Sequence, residues 1–213
     1  RGDTQEASRV DPGGWASHPF SLDRMRQIVP GEAVNALILC HQDPDVAASV
    51  VPWLDLNPQV MIITSYRTNI LLPHYGRQDY SWTNINEKGE YHFQSGNSLK
   101  FVESPFLHFP GAFTTIDEVS GFLFSGDIWG AIDMDWRLTV VDMQKHELKM
   151  SLYHVDYMAG NLACRGFLKN LTPFVPAAIL PQHGSVIPGR FVPRALEYLK
   201  NLKCGMDLVF AGL

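Results

Sequence analysis

Apolar positions in this chain gather in short runs, and most of these runs empty directly into polar residues. Val34 to Cys40 (VNALILC) and Val60 to Thr64 (VMIIT) have the length and continuity of strands buried on both faces. Between them, Val46 to Leu54 has helical character, so this stretch reads strand, loop, helix, strand, an α/β unit. Upstream, Val10-Asp11-Pro12-Gly13-Gly14 reads as a strand end running into a tight turn. Ser21 to Ile28 follows, with Ser21 as N-cap, Leu22, Met25 and Ile28 at helical spacing, and Pro30-Gly31 beyond its end.

The second half changes rhythm. Tyr91 to Phe93, Leu99 to Val102, Ala112 to Ile116 and Phe122 to Phe124 have strand character, and Gly89, Gly96, Gly111 and Gly121 punctuate them. That spacing predicts consecutive antiparallel strands. Val141 to Met158 and Leu162 to Leu171 read as helices, Ala177 to Leu180 as a strand, Arg194 to Leu202 as a helix and Asp207 to Leu213 as a tail strand. The aromatic loop Trp129 to Trp136 reads as an exposed lid or contact surface. The expected architecture is α/β, a two-layered sheet flanked by helices. Without repeats or low-complexity segments, residues 1–213 read as one domain.

Composition narrows the function. A chain of 213 residues, 46% hydrophobic and 18% charged, can bury a sizeable core. Its formal charge is -5, and Lys and Arg are scattered, so the basic stripe of a nucleic-acid surface is missing. No apolar run approaches the roughly 20 residues needed to span a bilayer, and the start carries no signal-peptide pattern. Cys40, Cys164 and Cys204 are odd in number and far apart, which argues against a disulfide framework and for a reducing, cytoplasmic setting. Each reads as a small buried hydrophobe.

The chemistry lies where the runs end. His41, Asp43 and Asp45 stand two apart around Pro44, directly after an apolar run. His108 lies between Leu107 and Phe109, Asp127 follows Ser125-Gly126, and His183 precedes Gly184. Side chains from several strand ends can converge on one cleft. A carboxylate among them could bridge two cations. Taken singly, each has a structural reading: a histidine held by hydrogen bonds, Asp127 or Asp45 capping a helix.

In their joint order, these segments resemble the metallo-β-lactamase superfamily, and within it the oxygen-binding di-iron proteins and the metal domain of flavodiiron proteins. The likeness runs from about Val10 to Ile187. It is carried by Asp11-Pro-Gly-Gly14, His41-Gln-Asp-Pro-Asp45, Phe106-Leu-His108, Ser125-Gly-Asp127 and Pro181-Gln-His-Gly184. Thr64 to Arg67, Pro73 to Gly76 and Tyr153 to Met158 are similar to the oxygen-binding subgroup. The resemblance implies an αββα sandwich. Few residues precede Asp11, so the family's leading strands are expected to be missing. It implies one metal held by His41, Asp43 and His108, a second by Asp45 and His183, and Asp127 bridging them. His74, His154 and Tyr157 would support these ligands from behind. Two positions depart from the pattern. Asp43 stands where hydrolytic zinc members carry His and flavodiiron proteins Glu, and Val46 replaces a histidine, leaving the second metal a ligand short.

Carboxylate in place of imidazole hardens the donor set, which favours iron, with manganese or zinc as alternatives. Two adjacent ferrous ions offer O2, or NO, open positions and electrons, so an oxygen-binding or sensing role is expected. Tyr66, Tyr75 and Tyr157 are candidate hydrogen-bond donors to such a ligand. No phosphate-cradling glycine loop is evident and no room follows Leu213, so no flavin is expected in the chain. A reductase reading would need a separate redox partner. A zinc-hydrolase reading lacks its second histidine at position 43. A signalling partner and a homodimer are further expectations.

Overall fold

The computed structural model describes residues 6–135 and 137–212, in two compact units that meet in the chain at Ser98 and Leu99. In the first unit, strands β1 (Ala7–Val10), β2 (Val34–Leu39), β3 (Met61–Thr64) and β4 (Trp82–Asn84) form a parallel sheet in that order. Parallel strands need crossovers, which here include α1 (His18–Arg26), α2 (Pro44–Ala47) and α3 (Val50–Leu56). The short helices α4 (Tyr66–Asn69) and α5 (Ile85–Lys88) and the strand β5 (Glu90–His92) complete the unit. Leu37 and Leu39 pack with Val50, Trp53, Leu54 and Ile62 in its core. The apolar continuity of Ala36 to Leu39 follows, because all four side chains are fully buried.

Two helix expectations shift. α1 begins at His18, with Pro19 in its first turn, so Ser21 lies inside the helix and Ser17 precedes it. The helix expected from Val46 to Leu54 is divided in two. Pro52 has no N–H, and its ring would clash with the carbonyl of residue 48 in a continuous helix. The Ser49 N–H donates instead to the Gly13 carbonyl at 3.0 Å.

In the second unit β6 (Ser98–Glu103), β7 (Phe113–Asp117) and β8 (Phe122–Gly126) run antiparallel in succession, as expected. β9 (Ala178–Pro181) lies parallel to β8, and β10 (Ile187–Pro188) pairs antiparallel with β9. The strand order is therefore β10-β9-β8-β7-β6. α6 (Met143–Tyr157), α7 (Asn161–Leu171) and α8 (Val192–Asn201) bury Met150, Phe167 and Leu199 in a core with Leu123, Trp129 and Ile179. The expected tail strand is instead a short helix, α9 (Met206–Val209). Gly205 (φ +49) opens it, at a position where a Cβ would lie 2.2 Å from the Met158 carbonyl oxygen. The Asp207 carboxylate then accepts from the Asn161 N–H at 2.6 Å, pinning the segment to the start of α7. Leu213 lies outside the described residues. No helix among the described residues is long and apolar enough to cross a membrane.

Candidate metal centre

In the first unit the donors follow β2. Its end is held from both sides: Thr64 Oγ1 donates to the Leu39 carbonyl at 2.7 Å, and the Cys40 N–H donates to Asp11 Oδ1 at 2.9 Å. His41 is 2% exposed. Its Nδ1 lies 3.0 Å from Cys40 Sγ, and its Nε2 lies 3.8 Å from Asp43 Oδ2. The other Asp43 oxygen accepts from Gln42 Nε2 at 2.8 Å. Asp43 is also the residue before α2, its carbonyl accepting from the Val46 and Ala47 amides, so the capping position is Asp43 and not Asp45. Asp45 sits exposed in the first turn, and Val46 is buried with its carbonyl accepting from the Gly13 N–H at 2.9 Å.

The Asp11-Pro-Gly-Gly14 turn explains itself through these bonds. It buttresses the donor loop at Cys40, Val46 and Ser49. A Cβ on Gly14 would lie 3.3 Å from the Pro44 carbonyl oxygen, a tight approach that glycine relieves. The Tyr75 hydroxyl donates to the Gln42 carbonyl. Burial first, then the charges of Asp43 and Asp45, push the Tyr75 phenol above its ordinary range, which keeps it protonated. His74 is exposed beside it in the turn Leu72–Tyr75. Tyr66 is exposed at the start of α4.

In the second unit the donors gather on Asp127, which is 4% exposed. His108 Nε2 lies 3.1 Å from Asp127 Oδ2, and His183 Nε2 lies 3.6 Å from Asp127 Oδ1. Tyr153, on α6, donates its hydroxyl to Asp127 Oδ2 at 2.8 Å. Tyr157, one turn on, stacks on Tyr153 with ring centroids 4.5 Å apart and meets the His108 ring edge-on at 5.7 Å. Its ring is 55% exposed.

The chain after β8 is shaped to present this carboxylate. Ser125 Oγ donates to the Ile128 carbonyl at 2.6 Å and the Gly130 N–H to the Asp127 carbonyl at 2.9 Å, closing a tight turn. A Cβ on Gly130 would meet that same carbonyl oxygen at 2.9 Å. His154, fully buried, accepts the Trp129 N–H on Nε2 and faces the Met150 carbonyl through Nδ1, both at 2.8 Å. The Nδ1–H tautomer satisfies both contacts. Burial pushes this imidazole down to about 4, against the upward pulls of the Met150 carbonyl and Asp127. Trp129 itself is fully buried, with its indole N–H on the Ala195 carbonyl at 2.8 Å. The loop expected to be an exposed lid therefore begins with an anchor, and Trp136 lies outside the described residues. His183 is held by the Gln182 N–H on the Gly126 carbonyl at 2.8 Å and by its own carbonyl, which accepts from Ala131 at 3.2 Å.

The structure thus gathers His41 with Asp43, and His108 and His183 with Asp127. Tyr153 is the contact that sequence reasoning passed over. It stands four residues before Tyr157 on one helix, but its spacing does not say that it faces Asp127.

A family model described as "ODP family beta lactamase" matches residues 2–184. The chain is similar to a solved structure of the chemotaxis sensor ODP as a peroxy diiron species, with 30% identity, a TM-score of 0.87 and coverage of 99% of this chain and 88% of that one. It is also similar to the apo state of the chemotaxis sensor ODP from T. denticola, at 29% identity and a TM-score of 0.90, covering 99% and 87%. The flavodiiron protein from Giardia intestinalis shares the fold at 20% identity and a TM-score of 0.83, covering 92% of this chain and 49% of that one. Among curated proteins, diflavin flavoprotein A 1 of Synechocystis is 26% identical over 140 residues, 66% of this chain and 24% of that protein. The chain spans about a quarter of the length of such relatives, 24%, 22% and 29% of three of them. Family and likeness agree on a metallo-β-lactamase-like α/β fold.

Proposed function

Since the chain belongs to the ODP beta-lactamase family, we propose that it is a di-iron protein that binds O2, or NO, as a sensor. Residues 1–213 serve as a single metal domain in this reading. The observation that carries it is the Asp127 carboxylate, with an imidazole nitrogen facing each oxygen, His108 on Oδ2 and His183 on Oδ1. A carboxylate so placed fits a bridge between two cations, and the mixed imidazole and carboxylate donors suit iron. Manganese and zinc are the alternatives for these donors, and zinc would supply no redox chemistry.

His41, Asp43 and His108 would hold one ion, Asp45 and His183 the other, with Asp127 shared. When bound, two ferrous ions supply open positions and electrons to a diatomic ligand. The chain's own residues do the remaining work. Val46 offers no donor and is buried, so Asp45 and His183 would hold their ion with one ligand fewer. Cys40 Sγ beside His41 Nδ1 fixes the ring so that Nε2 faces Asp43. Tyr153 holds Asp127 by its hydroxyl, and Tyr157 covers Tyr153 and His108 while its own ring remains partly in solvent. In this reading His154, His74 and Tyr157 would support the ligands, His154 through its bond to the turn that follows Asp127.

A sensor needs a signalling partner, and a homodimer and a cytoplasmic setting are consistent with this role. The second reading, a flavodiiron-type reductase module fed by a separate redox protein, is favoured by the diflavin relatives. The test is anaerobic purification, elemental analysis and an optical spectrum before and after admitting air. Two irons per chain and a new visible band are expected, and Asp127→Ala should lose at least one iron and the band. Repeated O2 turnover with an added electron donor would favour the reductase. A colourless protein with two zinc ions that gains no band on iron loading would overturn the proposal.

A further inference from the structure

Away from Asp127, the second unit has a cavity of about 190 Å³ where α6 begins. Its walls include Arg137, Thr139, Lys145, His146, Lys149 and Ser185. We propose that this cavity binds a small oxyanion, the carboxylate or phosphate group of a soluble ligand.

Three observations converge on that chemistry. First, α6 runs for fifteen residues, and its positive dipole end opens at the cavity, with the Lys145 N–H already taken by Asp142. Second, His146 is only 5% exposed, lines the cavity, and its Nε2 has no hydrogen-bond partner among the described residues. A buried imidazole nitrogen without a partner costs stability, and a ligand oxygen there would satisfy it. Burial, with Lys149 beside it, lowers the His146 pKa, so the ring is neutral and donates through Nε2 in one tautomer. Third, Arg137 is exposed on the rim, and no ion pair of its guanidinium occurs among the described residues. Arginine holds carboxylate and phosphate through two parallel N–H bonds.

The carboxylates in the same wall limit the ligand. Asp142 precedes α6 and spends one oxygen on the Lys145 N–H at 3.2 Å, while its other lies 4.0 Å from Lys145 Nζ. Asp133, which is not part of the lining, is paired with the cavity residue Lys149. Asp135 also lines the cavity. Lys145 and Lys149 are thus partly spoken for, and Arg137 with His146 is the pair left for the anion. A ligand with a second anionic group would meet Asp135 and Asp142, so the site suits a single oxyanion group.

The test uses the full metal-loaded chain and follows the His146 ring resonances by NMR. Inorganic phosphate and acetate are titrated separately at constant ionic strength set with chloride. A saturable shift of the His146 signals with at least one of them is expected, and the tighter of the two identifies the source of the oxyanion. Arg137→Ala, an exposed change that leaves the core untouched, should weaken binding roughly tenfold, with Arg137→Lys between it and wild type. His146→Gln should weaken it as well without changing metal content. No saturable shift with either anion, or binding unchanged in Arg137→Ala, would overturn the proposal.

Discussion

Asp127 draws its meaning from what faces it: two imidazoles, one hydroxyl, and a turn held rigid by Ser125, Gly130 and His154. Tyr153→Phe deletes the hydroxyl contact and keeps the stack on Tyr157, so the fold should hold while the carboxylate loses an orienting bond. Metal affinity should fall about 10- to 100-fold, read by competition with a chelator, because the partner of a ligand fixes its orientation and basicity. Unchanged affinity would reduce Tyr153 to packing. His154 carries a pH prediction. The unfolded chain takes up its proton near 6.5 and the folded chain at about 4, so between these values the unfolded state binds more protons. Stability from this group is complete above about pH 7 and is lost as pH falls, by about 2 kcal/mol near pH 5. Urea midpoints of the metal-free protein at the two pH values should show this loss, and His154→Gln should show less of it; equal losses would assign the titration elsewhere. The candidate donors stood out because each comes shortly after an apolar run. Tyr153 and the contact from His154 to Trp129 did not, since nothing local says which residue of a helix will face a loop in another part of the chain.

At the scale of elements, the ends of β2 and β8 matter more than their middles. The turn after β1 clamps the donor loop through Gly13, whose N–H reaches the Val46 carbonyl and whose own carbonyl receives the Ser49 N–H. Gly13 has φ +96, and an added Cβ would sit 3.0 Å from Ser17 Oγ. Gly13→Ala should therefore cost at least about 1 kcal/mol from the backbone alone. It should also loosen metal binding, because both bonds to the loop run from this residue; a stability loss measured by urea denaturation with metal affinity intact would uncouple the turn from the donors. Apolar runs made the buried strands readable, and the turn glycines made their ends readable. The break before α3 was written in Pro52, but the helical spacing of its neighbours masked it. The tail misled for a different reason. Val209 and Phe210 have strand character, yet Gly205 and the Asp207 carboxylate bind the segment back onto α6 and α7, and tertiary bonding outweighs local preference.

Across the whole molecule, periodicity revealed most of the longer strands and the antiparallel run from β6 to β8, but not the short strands β4 and β10 or the place of β9. β9 joins β8 in parallel after the long excursion through α6 and α7, a pairing set by packing between residues distant in sequence. The proposed donor set is likewise scattered along the sequence, from position 41 to position 183. A metal that binds such a set favours the folded state, because the unfolded chain cannot present the donors together. At a free-metal concentration about one hundred times Kd the linkage is worth about 2.7 kcal/mol. For a chain of this length each kcal/mol moves the midpoint by roughly 2–4 °C, so loading ferrous iron should raise Tm by roughly 5–10 °C and a chelator should reverse it. Asp127→Ala, lacking the shared carboxylate, should melt at nearly the same temperature with or without chelator. A wild-type midpoint indifferent to chelator would mean that these side chains hold no metal in solution, whatever their arrangement at rest.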